Sequence, residues 1–435
     1  MNKLPPLAVV DGVRTPMAKA FTDLQNVDAV QLGRVVVEDV LRRGGLVPHD
    51  VDEVIFGNVA GPADSANIAR VIALRAGIPR DRIAHTVNRN CASGMESVIA
   101  AWQAIATGRS NIVAAGGTES MSNIPMLFRP SAARRWMRLG RARSLSAKLR
   151  ALMDFRPKHF QPLVGIELGL TDPVCGLNMG QTAEVLAKEF GISRKQQDEF
   201  AMQSHQRAEE TQKACFLSGE ITPVRIPDVM DKDFEKDNAI RYGQSMEQLA
   251  KLRPIFDRNG TVTAGNSCPL TDGAACLLLS SEESMDRFSG PPLGYITDYA
   301  IAGCDPKRMG LGPVYAINKL LARTGRSIND FDLVEINEAF AAQVLACQAA
   351  LGSKTFAQNE LDRSEAIGQI DPSRLNVHGG AIALGHPVGM TGTRLILTLL
   401  RSLKKAGYRR GLATLCVGGG QGFAMILETD LGDKS

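Results

Sequence analysis

The sequence predicts an α/β protein made of two similar halves with an insertion between them. Short apolar strands alternate with amphipathic helices, a pattern typical of mainly parallel sheets covered by helices. One order of elements, in which a strand, a tight elbow, a helix and another strand follow one another, occurs twice along the chain. With 435 residues, the chain is long enough for two or three domains of roughly 100–200 residues each.

In the first half, residues 51–57 are predicted as a strand and residues 84–90 as a strand that runs into a turn. A helix with one buried face is predicted next, and a further strand is predicted at residues 111–117. The apolar positions of this helix follow the i, i+3, i+4, i+7 spacing: Met95, Val98, Ile99, Trp102 and Ile105.

The second half repeats the order with a strand at residues 332–336, an elbow at residues 385–387, a helix at residues 392–400 and a strand at residues 410–415. The two halves share little sequence identity. The repeat therefore rests on the order of elements.

Cys91 lies at the elbow of the first half, in the first turn of the predicted helix. Unpaired backbone N–H groups and the helix macrodipole favour a thiolate there. A free cysteine is more often an inert core residue than a nucleophile. The catalytic interpretation therefore requires a base and oxyanion donors elsewhere in the chain.

Four blocks supply such groups, at residues 90–94, 337–340, 376–387 and 415–422. In this order they resemble the signature of the thiolases, which carry out Claisen condensation, and its reverse, on coenzyme A thioesters. The resemblance implies the thiolase fold, two βαβαβαββ halves in a five-layered αβαβα arrangement. We expect an N-terminal half at residues 1–127 and 253–290, an inserted loop domain at 128–252 and a C-terminal half at 291–435.

The resemblance also implies catalytic roles. Cys91 is expected to be the nucleophile that takes the acyl group, and His386 the base that removes its proton. Cys416 is expected to be the second acid/base. One oxyanion hole would use His386 with a water held by Asn337, and the other the backbone N–H groups of Cys91 and Gly418.

Other positions are assigned more loosely. Many thiolases have asparagine where this chain has His378, and we expect this difference to alter local hydrogen bonding rather than to add a second general base. Four residues are expected to contact the substrate or coenzyme A: Arg241 near the nucleotide, Ser267 and Cys268 in the pantetheine channel, and Met179 in the acyl pocket. For Arg241 the alternative is an exposed arginine that contacts only solvent, and for Met179 it is ordinary core packing.

The implied reaction is thiolytic cleavage of 3-ketoacyl-CoA by CoA, with ping-pong kinetics through an acyl-cysteine. A biosynthetic acetoacetyl-CoA thiolase would use the same residues with a short acyl pocket. Ketoacyl synthases share the fold, but their usual Cys-His-His set lacks a counterpart of Cys416. A non-catalytic lipid-carrier or scaffold subunit would show eroded catalytic motifs, whereas this chain retains them.

The insertion contains a basic, apolar stretch at residues 131–159, with nine arginines and lysines against the single acid Asp154. Such amphipathic segments lie on anionic membranes or dock on partners. Its character resembles the β subunit of fatty-acid oxidation complexes, which pairs with a hydratase–dehydrogenase α chain. A solvated helix covering the active-site entrance is the alternative.

The composition of the chain argues against several other classes of function. A net charge of +4 does not suggest nucleic-acid binding, and eight cysteines without a C-x-x-C pair argue against a structural zinc site. The glycines fit neither the dinucleotide nor the P-loop pattern, so no tightly bound cofactor or metal is expected, with coenzyme A as substrate. The N-terminus lacks leader features, which predicts a cytoplasmic protein with reduced thiols. The family relationship implies a homodimer or homotetramer.

Overall fold

The computed structural model describes residues 4–227 and 233–432. The N-terminal segment for which the sequence predicts no leader begins with residues 1–3, which lie outside the described residues. The strands are β1 Leu7–Arg14, β2 Ala18–Lys19, β3 Glu53–Gly57, β4 Ile83–Val87, β5 Ile112–Glu119, β6 Val224–Arg225, β7 Asp233–Phe234, β8 Thr271–Ser280, β9 Gly294–Gly303, β10 Leu333–Ile336, β11 Arg410–Val417 and β12 Gln421–Glu428. The α-helices are α1 Ala29–Arg43, α2 Ile68–Arg75, α3 Ser93–Ala106, α4 Pro130–Arg141, α5 Leu145–Met153, α6 Gly165–Gly169, α7 Met179–Glu189, α8 Arg194–Lys213, α9 Met246–Ala250, α10 Gly312–Thr324, α11 Ala341–Leu351, α12 Lys354–Glu360, α13 Ala381–Leu384 and α14 Val388–Ala406. The strands and helices expected around the two elbows are all present.

Among the described residues, ten strands form one mixed sheet in the order β10-β11-β12-β9-β1-β8-β5-β3-β4, with β2 paired to β8. Strands β3, β4 and β5 are parallel to one another, as are β10 and β11. The two halves are joined by a short antiparallel pairing of β1 with β9 at Leu7, Ala8 and Val9. Each half therefore keeps its own part of the sheet.

The larger of two compact units comprises the described residues of Met1–Asn123 and Asp172–Ser435. It contains five layers, because each part of the sheet is covered on both faces. On β5, Ile112 and Ala114 face an outer core with α1 and α2, whereas Val113 and Ala115 face a central core with α3 and α14. The face of β11 and β12 that points away from this central core packs against α10 and α11. Burial on both faces explains why these strands are apolar along most of their length.

Helices α3 and α14 of the central layer approach each other backbone to backbone. A Cβ atom on Gly94 would lie 2.7 Å from the backbone nitrogen of Thr393, and one on Gly392 would lie 2.4 Å from that of Met95. The same Cβ on Gly94 would lie 3.0 Å from the carbonyl oxygen of Gly389, in the first turn of α14. Glycine is required at this crossing because a side chain would separate the helices. Since α3 follows one elbow and α14 the other, the crossing brings the two elbows together.

Residues Ile124–Thr171 form the second compact unit. Its helices α4 and α5 are linked by an ion pair between Arg138 and Asp154 at 2.7 Å. A cluster of rings packs within it: Phe128, Trp136, Phe155 and Phe160. Leu145 and Met153, at the two ends of α5, are 85% and 72% exposed. No helix within residues 4–227 and 233–432 is both long and apolar enough to cross a membrane.

Candidate active site

Cys91 lies between β4 and the first helical residue of α3, and it is partly exposed as a residue. Asn90 adopts a left-handed φ of 44° and forms the turn. The backbone N–H groups of Gly418 and of Cys91 itself lie near the thiol sulfur and favour its ionised form. These are the two donors that the sequence assigns to an oxyanion hole, and they converge at the sulfur.

The protonation state expected for Cys91 needs correction. Burial of the sulfur raises the pKa of Cys91, although the two N–H groups act in the opposite direction, and the carboxylate of Glu119 adds to the rise. The macrodipole argument considers only the local helix, whereas desolvation depends on the whole fold. The unliganded site therefore favours a neutral thiol over the expected thiolate.

The turn that carries Gly418 is anchored to the Cys91 elbow. The side-chain amide nitrogen of Asn90 donates to the carbonyl oxygen of Gly418 at 2.8 Å. Gly420 has φ +81°, and a Cβ there would lie 2.3 Å from the carbonyl oxygen of Cys304. Glycine is therefore required at this position to close the turn between β11 and β12.

His386 is 7% exposed and lies at the elbow before α14. Its Nδ1 atom is 2.6 Å from the hydroxyl oxygen of Thr391, and that hydroxyl donates its own hydrogen to the carbonyl oxygen of Pro387. Nδ1 must therefore carry the ring proton and donate it to Thr391. Nε2 is buried, has no hydrogen-bond partner and keeps its lone pair. Burial, together with the charge of Arg394, lowers the pKa of His386 to about 4, so the ring is a neutral base at physiological pH.

Asn337 follows β10 and is fully buried. Its backbone N–H donates to the carbonyl oxygen of Thr414 at 3.0 Å, which fixes it beside β11. Both polar atoms of its side chain, Oδ1 and Nδ2, lack a hydrogen-bond partner. A fully buried amide without partners is rare in proteins and indicates that a water or ligand completes its hydrogen bonding.

Cys416 is buried on β11, in an apolar cluster that also contains Met179 and Phe340. Burial raises the pKa of Cys416 well above its usual value, and the nearby thiols of Cys91 and Cys268 add to the effect. Burial and the thiol of Cys91 likewise raise the pKa of Cys268 to about 12. The three thiols therefore lie close enough to interact electrostatically.

The residues predicted to contact the substrate or coenzyme A differ in burial and location. Ser267 is nearly buried, and its hydroxyl donates to the carbonyl oxygen of Thr263 at 2.7 Å. Met179 lies near the turn, because a Cβ on Gly418 would be 3.4 Å from its sulfur. Arg241 has an exposed side chain, and its backbone N–H donates to Nδ1 of His205 at 3.2 Å. The structure thus places Met179 and Cys268 near the thiols of Cys91 and Cys416, and Arg241 at the surface.

His378 has a separate environment. Its ring stacks on Phe216 with centroids 3.9 Å apart, and its Nδ1 lies 3.2 Å from the hydroxyl of Thr211. Burial and the charge of Lys405 lower the pKa of His378 to about 4. These contacts come from the end of α8, the turn that follows it and the C-terminal part of α14 rather than from the elbows, which favours a structural role.

Sequence reasoning missed three buried charged residues around the two elbows. Glu119 ends β5, Glu338 directly follows Asn337, and Arg394 lies in α14. The available signal was an acidic residue at the end of an otherwise apolar strand, since such a residue is seldom buried without a partner. No group of three or more histidine, cysteine or acidic residues in the described part of the chain could hold a metal ion.

Comparisons with known proteins identify the relatives of the whole chain. Residues 7–283 match the family model of the thiolase N-terminal domain, and residues 290–429 match that of the thiolase C-terminal domain. A 3-ketoacyl-CoA thiolase of Yersinia pestis (strain Pestoides F) is 41% identical over 426 residues, which cover 98% of this chain and 97% of that protein.

Solved structures show the same relationship. The Bacillus anthracis acetyl-CoA acetyltransferase superposes with a TM-score of 0.86 at 37% identity, covering 99% of this chain and 100% of that chain. Human mitochondrial 3-ketoacyl-CoA thiolase in complex with CoA gives a TM-score of 0.84 at 36% identity, covering 99% of each chain. The fold expected from the four sequence blocks is confirmed, and the chain belongs to the thiolase family.

Proposed function

We propose that this enzyme cleaves 3-ketoacyl-CoA with CoA, yielding acetyl-CoA and a shortened acyl-CoA. The observation that carries the proposal is the presence of a thiol with two backbone N–H groups nearby on one elbow and, on the other elbow, a buried histidine whose Nε2 has no partner. The identity to 3-ketoacyl-CoA thiolases over nearly the whole chain supports the same reaction.

In the first half-reaction, Nε2 of His386 removes the proton of the Cys91 thiol, and the sulfur attacks the 3-keto carbon. The resulting oxyanion accepts the N–H groups of Cys91 and Gly418. The C2–C3 bond then breaks and leaves the enolate of acetyl-CoA. The imidazolium N–H of His386 and a water on Asn337 stabilise its oxygen, while the Cys416 thiol protonates its carbon.

In the second half-reaction, the Cys416 thiolate removes the proton of the incoming CoA thiol. The CoA sulfur attacks the acyl-Cys91 thioester, and Cys91 leaves as a thiolate that recovers its proton from His386. All protons are thus returned. A neutral resting pair of thiol and imidazole suits this sequence, because the proton moves only when substrate fills the site.

The test is substitution of the nucleophile. Cys91→Ser is expected to lower turnover by roughly a thousandfold or more, and intact-mass measurement should show an acyl adduct in the wild type alone. Cys215→Ser, which changes an exposed cysteine, is the matched control. Normal turnover by the Cys91 variant would exclude the mechanism.

A second candidate is acetyl-CoA C-acetyltransferase activity, which the similarity to the Bacillus anthracis acetyl-CoA acetyltransferase favours. The two activities use the same groups and differ in the acyl chain that the pocket accepts. Turnover of acetoacetyl-CoA compared with 3-ketodecanoyl-CoA distinguishes them.

We assign Met179 to the acyl pocket, Ser267 and Cys268 to the pantetheine channel, and Arg241 to the nucleotide end.

We further propose a homodimer or homotetramer. Strand β4 lies at the end of the sheet, and its first residue, Ile83, is 51% exposed. An edge strand with free backbone groups readily pairs with a second copy. Because β4 leads directly to Cys91, such pairing would also support the elbow. Light scattering coupled to size exclusion tests this, and a monomer at micromolar concentration would contradict it.

For the second compact unit we propose contact with an anionic membrane or with a hydratase–dehydrogenase α subunit. Basic side chains of α4 and α5, including Arg134, Arg141 and Arg150, line a cavity of about 620 Å³ together with the exposed apolar side chain of Met137. Basic charge next to exposed apolar area suits an anionic surface. Flotation with anionic vesicles and pull-down with an α chain test the two partners, and failure of both would exclude the proposal. The domain boundaries and the cytoplasmic location remain predictions.

A further inference from the structure

The segment that carries His386 has little regular structure of its own. It runs from the four-residue helix α13 through Gly385, with φ +111°, into α14. A Cβ on Gly385 would lie 2.4 Å from the side chain of Thr271. The position of the imidazole therefore depends on contacts that the segment makes with the rest of the fold.

Glu119 contacts the end of the segment. Its Oε2 atom accepts the backbone N–H groups of Gly389 at 2.9 Å and Val59 at 3.1 Å. Its Oε1 atom accepts the backbone N–H of Ala60 at 3.0 Å and the side-chain amide of Asn58 at 3.1 Å. One buried carboxylate thus connects the first turn of α14 to the loop after β3, and each of its oxygens receives two donors.

Glu338 contacts the beginning of the segment. Its Oε2 atom accepts the backbone N–H of Ile382 at 3.2 Å and the hydroxyl of Ser204 at 2.6 Å. Its Oε1 atom accepts the side-chain amide of Asn376 at 2.8 Å. The same hydroxyl of Ser204 accepts the N–H of Gly380 at 3.1 Å. This carboxylate therefore connects α8, α13 and the end of β10, next to Asn337.

We propose that Glu119 and Glu338 are positioning residues that hold the His386 segment at both ends, at Gly389 and at Ile382. This inference rests on the proposed thiolase function. The Nε2 atom of His386 has no partner that would orient it, and Nδ1 bonds to Thr391, two residues after Gly389 in the first turn of α14, so the ring follows that turn and the loop before it. The direction of the base is then set by the two backbone attachments. Neither glutamate touches substrate in this scheme.

Substitution by glutamine should affect the two positions, 119 and 338, to different degrees. At position 119 both oxygens accept two N–H groups, so the amide nitrogen of Glu119→Gln would face donors in either orientation. At position 338 the amide oxygen can still accept from Ile382. The amide nitrogen would then oppose that of Asn376, which cannot flip because both its polar atoms already bond the backbone of Ile336. Glu119→Gln should therefore displace the segment more than Glu338→Gln does.

The experiment combines steady-state kinetics with alkylation of Cys91 by iodoacetamide at neutral pH, followed by peptide mass spectrometry. Displacing the reacting groups by about an ångström costs about a hundredfold in rate, so kcat of Glu119→Gln should fall by about tenfold to a hundredfold, with KM within about threefold. Alkylation of Cys91 should slow by a similar factor, because His386 no longer removes the thiol proton efficiently. Glu338→Gln should show the same changes to a smaller degree.

Slower alkylation distinguishes positioning from loss of stability. A loosened fold would expose buried thiols such as Cys416 and accelerate their alkylation. The matched control is Glu53→Gln, which changes another buried carboxylate, bonded to Ser110 and Arg109 and not to the His386 segment. It should lower the melting temperature and leave kcat and Cys91 alkylation unchanged.

The proposal is overturned if Glu119→Gln keeps wild-type kcat, or if its alkylation of Cys91 is unchanged or faster. Partial folding of the variant does not prevent the test, because Glu338→Gln keeps the attachment to Ile382 and gives the same readouts. Failure of the proposed function has a different signature, since the wild-type enzyme itself would then not turn over 3-ketoacyl-CoA.

Discussion

The substitution His378→Asn tests whether this histidine has a structural or a catalytic role. The ring packs on Phe216 and against Thr211, on the opposite end of α14 from His386. Loss of the stacked pair should cost about 1 kcal/mol of folding free energy at pH 7.5. Turnover should remain within about threefold of wild type, because no acid or base of the reaction is removed.

The same substitution should change how stability depends on pH. Folding lowers the pKa of His378 from 6.5 to about 4, because burial and Lys405 disfavour the charged ring. Between these values the unfolded chain binds a proton that the folded protein does not, so stability is lost as pH falls below 6.5. At pH 5 this linkage amounts to about 2 kcal/mol. His378→Asn should remove it, so the variant should lose about 2 kcal/mol less than wild type between pH 7.5 and pH 5.

Urea unfolding at the two pH values, followed by circular dichroism, measures this difference. His49→Asn, which removes an exposed imidazole, is the matched control and should follow the wild type. If His378→Asn shows the wild-type pH dependence, the desolvation argument is wrong. If instead it abolishes turnover, His378 takes part in the chemistry.

Three further predictions concern the site and the contacts that support it. Asn337→Ala should lower kcat by about a hundredfold to a thousandfold without changing Cys91 alkylation, because it removes the water-holding amide but not the base. Gly94→Ala should lower the free energy of unfolding by about 1–3 kcal/mol and reduce kcat at least tenfold, because the added Cβ meets α14. At Gly418 an added Cβ has its nearest neighbour at 3.4 Å, so Gly418→Ala should lower the free energy of unfolding by less than about 1 kcal/mol. Thermal melts and kinetics compare the two variants. Arg394→Met should destabilise by about 3–5 kcal/mol, because it leaves Glu335 buried without its partner at 3.3 Å. Adding Glu335→Leu should restore most of the loss in urea unfolding, and a double variant no more stable than the single one would contradict this.

The strands and helices around the elbows could be predicted because their signals are local. A helix stripe such as Met95, Val98 and Trp102 depends on residues a few positions apart. The order of the four blocks also identified the family without any knowledge of contacts. Burial on both faces of the strands then followed from their continuous apolar sequence.

What could not be predicted depends on contacts between distant segments. The expectation of a Cys91 thiolate failed because the helix end is a local property, whereas desolvation comes from surrounding layers. The two side chains that contact the His378 ring, those of Phe216 and Thr211, lie more than 150 positions earlier in the chain. Glu119 is the end of a strand in the sequence, and its four donors become visible only when the loop after β3 and the first turn of α14 are placed beside β5.

The chemistry of this enzyme depends on how closely the central helices of the two halves pack. The proposed nucleophile, Cys91, precedes α3 and the proposed base, His386, precedes α14, so neither half contains both. The carboxylate of Glu119 accepts hydrogen bonds from the backbone N–H groups of Gly389 and Val59, which belong to the same two halves, so the glycine crossing and the carboxylate act on one interface. A side chain at Gly94 and an amide at position 119 would disturb that interface in different ways, one by distance and one by direction. Activity therefore reports the docking of the halves more sensitively than stability does, because a small displacement of the base reduces the rate long before it exposes the core.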